Sequence, residues 1–182
     1  MAGGRSSAGR RSAADADDPE AAAREICLRL LSFSPRTRAQ LADALRRKGV
    51  TDEVAERVLG RYTEAGLIDD AAFAQAWVQS RHAGRGLARR ALAAELRQRG
   101  VADDTVKEAV EELAPEQEES AARELIAKRM AVTRGMDPVK RTRRIAGVLA
   151  RKGYSGSLAY NLIREALEAE GIGDLPDSPP ED

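Results

Sequence analysis

The chain has 182 residues, of which 33% are charged, and its 30 basic residues equal its 30 acidic ones. Only 3% of the residues are aromatic, so a core has to come mainly from Leu, Val, Ile and Ala. The single cysteine, Cys27, excludes an internal disulfide and suits a reducing compartment. No run of about 20 apolar residues is present, which excludes a membrane-spanning helix.

The two ends of the chain differ in composition from the rest. Residues 1–18 are rich in Arg, Ser, Ala and Asp, and residues 172–182 are rich in Pro and Asp. Neither segment has the apolar residues needed to bury a core, so we expect both to be disordered tails. Between them the apolar residues recur at helical spacing, and Ala, Leu, Arg and Glu, which all favour helix, dominate.

A repeated segment organises the chain between the tails. LADALRRKGV, LAAELRQRGV and IAGVLARKGY align without gaps, and their glycines recur at intervals of 51 and 53 residues. These glycines are Gly49, Gly100 and Gly153. Apolar residues four apart share one helix face, and glycine accommodates the left-handed backbone that often ends a helix. We therefore predict that each segment is a helix closed by its glycine.

Two further helices accompany each repeated helix. The helices that follow the glycines are expected to be capped by Thr51, Asp103 and Ser155. Upstream helices are predicted from Pro19 to Leu31, from Asp69 or Asp70 onwards, and from about Glu116 to Met130. The second of these carries Phe73 and Trp77, which lie four residues apart and are expected to face the core together as scaffold.

The sequence thus predicts an all-α fold of three tandem three-helix, helix-turn-helix-like units that form an elongated curved array. The predicted units span residues 19–66, 67–114 and 115–171. The predicted core positions of the repeated helices are Leu41, Leu45, Leu92, Leu96, Ile145 and Leu149. Because each unit is too small to be comfortably stable alone, we expect the units to stack or to share helices.

Residues that could carry chemistry are few and scattered. Asp69 and Asp70 are interpreted as helix-capping residues, because adjacent residues at a helix start point apart and do not form a catalytic pair. His82 is the only histidine, so a surface residue is expected there and not a metal ligand. Cys27 is expected to be a small buried residue. We therefore predict neither an enzyme nor a metal site.

The charges are segregated along the chain although they sum to zero. Residues 81–99 carry a net charge of +5, residues 103–119 of −7 and residues 123–152 of +8. Basic residues recur in the middle helix of each unit, so three similar basic helices could line an extended anionic surface. For any single arginine, an ordinary solvated helix face is the alternative interpretation.

The helix-turn-helix pattern also resembles a DNA-reading motif, whose last helix enters the major groove. The last helices of the first two units, within TDEVAERVLGRYTEAG and DDTVKEAVEEL, are acidic and would be repelled by phosphate. Sequence-specific base reading is thus disfavoured, and contact of the middle helices with a nucleoprotein or a protein groove fits better. A DNA-binding module with three degenerate helix-turn-helix repeats remains the alternative.

One stretch carries a family resemblance. GLIDDAAFAQAW followed by GRGLARRALAAELRQRGV resembles the core signature of the RecX regulatory proteins. The Gly-Leu-Ile-Asp-Asp turn, Phe73, Trp77, Arg81 and Gly86 come in the family's order and spacing, and the likeness covers about residues 20–170. The third unit departs most from the pattern.

This resemblance implies a modulator of the RecA recombinase, acting in homologous recombination, DNA repair and the SOS response. Such proteins bind RecA, chiefly its filament on single-stranded DNA, where they are expected to lie in the helical groove. They are expected to block filament extension and to suppress the ATPase and strand exchange of RecA. The resemblance further implies a cytoplasmic protein that needs no cofactor. We expect a monomer that binds no membrane and contacts DNA only non-specifically.

The residues predicted to contact the partner or the DNA backbone are basic residues of the second and third units. They are Arg81, Arg85, Arg89, Arg90, Arg97, Lys140, Arg141, Arg143 and Arg144. If this surface is right, reversal of Arg89 and Arg90 to Glu weakens inhibition of RecA without unfolding the chain. Internal pairing of these side chains with glutamates would count against the surface.

Overall fold

The computed structural model describes residues 18–172, so the tails predicted at both ends lie outside the described residues apart from Asp18 and Ile172. Within this range the chain forms nine α-helices and no strand, which confirms the all-α prediction. The helices are α1 (Pro19–Phe33), α2 (Arg38–Arg47), α3 (Asp52–Glu64), α4 (Asp70–Arg85), α5 (Arg89–Gln98), α6 (Asp103–Glu111), α7 (Pro115–Val132), α8 (Pro138–Arg151) and α9 (Gly156–Ala169).

The helices pack in consecutive threes. The first three-helix unit comprises α1–α3, the second α4–α6 and the third α7–α9, and each surrounds its own cluster of buried side chains. The tandem three-helix architecture predicted from the repeat is therefore confirmed. The chain divides into two compact bodies between Asp69 and Asp70, so the first unit forms one body and the second and third units together form the other.

The repeated helices α2, α5 and α8 supply the centre of each core. All six apolar positions predicted for these helices are at most 1% exposed, which confirms their assignment to the core. Burial of an aliphatic side chain of this size contributes about 1.5–3 kcal/mol. The leucine and isoleucine pairs of the repeat are therefore a main source of stability in every unit.

Each repeated helix ends at its predicted glycine. Gly49, Gly100 and Gly153 have φ angles of 79°, 75° and 88°, in the left-handed region. After the first of them, the Val50 N–H donates to the Leu45 carbonyl oxygen at 3.1 Å, and the equivalent bond recurs in the other two units. The Leu45 carbonyl also accepts from the Lys48 N–H at 3.0 Å, so the turn at the glycine gives this carbonyl at the helix end two donors. The same local chemistry thus turns the chain at three places.

The starts of the helices that follow these glycines agree with prediction in part. Ser155 precedes α9, and its hydroxyl accepts a backbone hydrogen bond at 3.3 Å, as expected of a cap. Thr51 precedes α3, but its side chain makes no capping bond. The prediction for Asp103 is wrong, because α6 begins at that residue and Ala102 occupies the cap position. The carboxylate of Asp103 bonds instead to Arg97.

The first helices of the first two units bury mainly small side chains, whereas α7 of the third unit also buries Ile126 and Met130. Ala23 and Cys27 are fully buried in α1, and Ala74 is fully buried in α4. Phe73 and Trp77 pack against the core of the second unit but remain partly exposed. The small residues let the helix lie close to its neighbours, so the large ones are displaced to its flank. Burial also raises the pKa of the Cys27 thiol, which keeps it protonated and unreactive.

Candidate partner-binding surface

The second and third units meet along a seam between the end of α8 and the connection from α4 to α5. The Ala88 N–H donates to the Lys152 carbonyl oxygen at 2.9 Å, and the Tyr154 hydroxyl donates to the Gly86 carbonyl oxygen at 3.0 Å. Burial raises the pKa of Tyr154 to about 12, so the hydroxyl keeps the proton that it donates. Ala88 itself is fully buried in the core of the third unit.

Gly153 has a second role at this seam, beyond ending α8. A Cβ atom at this position would lie 2.5 Å from the backbone nitrogen of Ala91 and 2.7 Å from its Cβ. These distances are far below van der Waals contact, so only glycine fits without a backbone shift. Since the seam fixes α8 against α5, the basic residues of the second and third units keep a defined arrangement.

Three of the arginines predicted for the second unit lie within ion-pair distance of carboxylates of the chain itself: Arg81, whose Nε is 3.7 Å from Glu95, Arg89 and Arg97. Arg97 Nε donates to the Asp103 carboxylate at 2.7 Å, and this hydrogen bond lowers the pKa of Asp103. Arg89 meets Glu118 twice, through its backbone N–H at 2.9 Å and through Nε at 3.7 Å. Internal pairing of this kind counts against the predicted surface in the second unit. Reversal of Arg89 would set two carboxylates against each other and would disturb the fold.

Arg81 belongs to a cluster around Trp77. The indole N–H of Trp77 donates to the Glu95 carboxylate at 2.7 Å. The guanidinium groups of Arg81 and Arg99 lie 4.2 and 3.7 Å from the centre of the indole ring, and Phe73 stacks on it at 5.7 Å. A cation over an aromatic ring contributes about 0.5–2 kcal/mol. Arg81 therefore acts mainly as scaffold, together with the two aromatic residues.

Three of the predicted residues of the second unit are exposed: Arg97, which pairs with Asp103, and Arg85 and Arg90. Among residues 18–172, no carboxylate lies within ion-pair distance of the Arg85 or the Arg90 side chain. Arg85 lines a groove of about 960 Å³ together with Lys128, Arg151 and Lys152. The Lys152 ammonium group donates a hydrogen bond to the Arg85 carbonyl oxygen. The fold thus brings Arg85 to the C-terminal end of α8.

The third unit leaves most of its predicted cations exposed. Lys140, Arg143 and Arg144 are exposed on α8, and Arg151 continues the same row. Lys140, Arg144 and Arg151 are four and seven residues apart, so they share one helix face that extends about 16 Å. In the described part of the chain, no carboxylate lies within ion-pair distance of these side chains. We call these four residues the α8 basic surface.

Arg141 was also predicted as a contact residue, and that prediction is wrong because the side chain is only 2% exposed. Its guanidinium group donates to Thr133 Oγ1 at 3.0 Å, to the Met130 carbonyl oxygen at 2.7 Å and to the Glu170 carboxylate at 2.6 Å. These bonds tie α8 to the ends of α7 and α9. The Arg141 hydrogen bond lowers the pKa of Glu170, and the charge of Arg134 acts in the same direction.

The repeat itself contains the signal that places Arg141 inside. Arg141 precedes the core residue Ile145 by four positions, so the two side chains share one helix face. Thr37 and Ala88 stand at the equivalent position of the other two repeats, and both are 0% exposed. Extending the repeat alignment four residues upstream therefore identifies this position as buried.

The remaining candidate residues take structural positions. The α4 helix begins at Asp70, so Asp69 stands directly before it, where a cap is expected. His82 is half-buried, and its Nδ1 lies 2.9 Å from the Leu87 carbonyl oxygen, so it ties down the α4–α5 connection and is not the plain surface residue expected. Over residues 18–172, no three His, Cys, Asp or Glu side chains are arranged to hold a metal ion.

Comparison with known families agrees with this architecture unit by unit. Models of the first, second and third three-helix domains of RecX match residues 23–61, 69–110 and 116–167. The chain belongs to the RecX family of regulatory proteins. The family resemblance that rests on the GLIDD turn and the repeated segment is thereby confirmed.

Relatives named Regulatory protein RecX align over most of this chain. The one from Thermobifida fusca is 64% identical over 156 residues, which are 86% of this chain and 84% of that protein. The one from Streptomyces lividans is 60% identical over 154 residues, covering 85% and 82% of the two chains. The one from Mycolicibacterium smegmatis is 44% identical over 162 residues, covering 85% and 86%.

Two solved structures share the fold. The crystal structure of RecX from Lactobacillus salivarius matches with a TM-score of 0.76 at 19% identity, over 81% of this chain and 96% of that one, and this likeness concerns the fold alone. A second crystal structure of a regulatory protein RecX matches with a TM-score of 0.73 at 26% identity, over 84% and 74%. None of the helices described is both long and apolar enough to span a membrane.

Proposed function

We propose that this chain inhibits the RecA recombinase in the cytoplasm by binding the RecA filament on single-stranded DNA through the α8 basic surface. The chain acts in this proposal by binding alone, with no cofactor and no reaction of its own. Arg85 and Arg90 extend the contact from the second unit. The observation that carries the proposal is the set of exposed, unpaired cations on α8 in a chain of the RecX family.

The charge of this surface favours an anionic partner. A face of exposed arginines and lysines raises the rate of encounter with negative surfaces, and salt screens the attraction beyond about 10 Å at 0.1 M. Acidic residues of RecA and the phosphates of the DNA inside its filament both offer such a partner. Guanidinium groups bind carboxylates and phosphates alike in a bidentate manner, so arginine suits either chemistry.

A sequence-specific DNA reader is less well supported. The helices that would enter the major groove are α3, α6 and α9, which expose Glu53, Glu108 and Glu165. Carboxylates at these positions repel phosphate at the distance where a recognition helix has to lie. Any DNA contact is therefore expected through α8 and without preference for sequence.

The test reverses two charges of the α8 basic surface. We expect the double variant Arg143→Glu/Arg144→Glu to inhibit the DNA-dependent ATPase of RecA at least about tenfold more weakly, because two attractive contacts become repulsive. Inhibition is measured by titrating each variant into RecA filaments assembled on single-stranded DNA. Circular dichroism and urea unfolding check that the variant is folded, as expected for exposed side chains.

The matched control is Arg29→Glu/Lys48→Glu, which changes the net charge equally on α1 and at the end of α2. Both side chains are exposed and have no carboxylate within ion-pair distance among residues 18–172, so the fold tolerates their reversal. Equal loss of inhibition in the two double variants would contradict the assignment of α8. Binding to duplex DNA of one sequence, without any effect on RecA, would favour the DNA-reading alternative.

A further inference from the structure

No carboxylate of the described residues pairs with a side chain of the α8 basic surface. Asp137, which caps α8, accepts a hydrogen bond from the backbone N–H of Lys140 at 3.0 Å. On α9, Glu165 pairs with Arg123 at 2.8 Å and Glu168 pairs with Arg164 at 3.6 Å. Glu170, at the end of the same helix, is held by Arg141. These acids are therefore engaged elsewhere, and an acidic segment from outside the described residues finds the surface available.

The described chain ends next to this surface. Glu170 lies 2.6 Å from Arg141, whose sequence neighbours include Lys140 and Arg143 of the α8 basic surface. Ile172, the last described residue, packs against the core of the third unit. The segment that follows it therefore starts close to the N-terminal end of α8.

That following segment, residues 173–182, reads GDLPDSPPED and contains four carboxylates and no basic residue. Ten residues span at most about 35 Å, whereas α8, with its 14 residues, is about 21 Å long. The segment is thus long enough to reach from Ile172 to any residue of the α8 basic surface. Its one aliphatic side chain, Leu175, could cover Val139, which is 54% exposed among these cations.

We propose that residues 173–182 bind the α8 basic surface of the same chain and compete there with an acidic partner. The competition with RecA rests on the proposed function, whereas the intramolecular contact does not. A short tether holds the segment at an effective concentration of the order of 1 mM, so even a weak contact is populated. An anionic partner with more closely spaced charges displaces it, and salt weakens both contacts.

The experiment neutralises the segment within the full chain and needs no RecA. The variant is Asp174→Asn/Asp177→Asn/Glu181→Gln/Asp182→Asn, and amide chemical shifts are compared with those of the parent by NMR at low salt. We expect shift changes along α8 and at Arg134, and we expect them to shrink in about 0.5 M salt, where the Debye length is only about 4 Å. The changes should not depend on protein concentration, because the contact lies within one chain.

A second readout uses polyglutamate as a probe of the exposed surface. The neutralised variant is expected to bind it about three- to tenfold more tightly than the parent chain, because the intramolecular competitor is weakened. The matched control replaces four exposed glutamates of other helices by Gln, with the same change in net charge. These are Glu53, Glu64, Glu108 and Glu111.

Several outcomes would overturn the proposal. Unchanged chemical shifts along α8 would show that residues 173–182 do not contact this helix. Shift changes that vanish on dilution would show that the segment binds a second copy of the chain. If the control variant gained polyglutamate affinity equally, the change in net charge would explain the effect without any contact between the segment and α8. The proposed function is tested by a different result. It fails if the Arg143→Glu/Arg144→Glu variant inhibits RecA as strongly as the parent chain.

Discussion

The second and third three-helix units both carry a basic middle helix, yet they use its charges differently. In the second unit, Arg89 and Arg97 face carboxylates of the chain itself. In the third unit, the α8 basic surface has no such partners among the described residues. A basic run in a sequence therefore does not by itself predict a basic surface, because the acids that fold against it decide how much charge remains.

The aligned repeats explain where the difference comes from. Leu87 and Ala91 of the second unit lie at or beside the seam, and Ala91 meets Gly153 of the third unit. Their equivalents in the third unit are Lys140 and Arg144, which are exposed. An exposed helix face needs polar side chains for solubility, but mixed charges would serve that purpose equally well. The excess of positive charge on α8 additionally favours an anionic partner.

The largest expected effect is on stability and tests the seam between the second and third units. Gly153→Ala should destabilise the α4–α9 body by about 3 kcal/mol or more, because the new Cβ overlaps Ala91 and the left-handed backbone is strained. Gly171→Ala is the control, since its φ of 81° is similar but a Cβ there meets nothing within 4 Å. It should cost about 1–2 kcal/mol. Urea unfolding followed by Trp77 fluorescence measures both, and equal losses would mean that the seam is looser than described.

A somewhat smaller loss of stability is expected when Arg141, the buried arginine of α8, is replaced, and Arg144 serves as the exposed arginine for comparison. Arg141→Met should cost about 2–3 kcal/mol in urea unfolding, because the Met130 carbonyl and the Glu170 carboxylate lose their donor. Arg144→Met should stay within about 0.5 kcal/mol of the parent. If the two variants were equally stable, Arg141 would belong with the surface residues after all.

Two arginines at the same repeat position allow the second and third units to be compared directly. Arg90 and Arg143 align with each other, and both are exposed. We expect Arg143→Glu to weaken binding to RecA filaments about three- to tenfold and Arg90→Glu about twofold, because only Arg143 lies within a row of unpaired cations. Filament binding is measured by fluorescence anisotropy. A larger loss for Arg90→Glu would shift the contact to the second unit.

The smallest expected effect concerns pH. The Arg141 hydrogen bond lowers the pKa of Glu170 in the folded chain, so the pair stabilises the fold above the ordinary glutamate pKa of about 4.3. This stabilisation is lost as the pH falls through the lowered pKa. The stability difference between the parent and Glu170→Gln should therefore shrink from about pH 6 to about pH 3. A constant difference would mean that Glu170 does not titrate as part of the pair.

The fold was accessible from the sequence because local signals agree with one another. Apolar residues four apart, such as Leu92 and Leu96, are fully buried, and each repeated helix closes at a glycine with positive φ. Helix periodicity and glycine chemistry act within a few residues, so one sequence suffices to recognise them. The predicted cap of α6 is wrong by one residue. Asp103 is the first residue of the helix, and Ala102 occupies the cap position before it.

The site was only partly accessible, because ion pairs join residues that are distant in sequence. Glu118 reaches Arg89, and Glu170 reaches Arg141, each across 29 residues. Such partners depend on how helices of different positions pack, which charge counting along the chain does not capture. Arg97 and Asp103 lie only six residues apart, so that pairing was foreseeable from the short turn between α5 and α6.

The seam also limits how the chain can be shortened or rebuilt by protein engineers. A truncation before α7 would strip the cover from Ala88 and leave the Gly86 carbonyl without the Tyr154 hydroxyl. Such a fragment would expose apolar surface and an unsatisfied acceptor, which promote aggregation. Chimaeras that exchange repeats between relatives should therefore transplant residues 70–172 as one block.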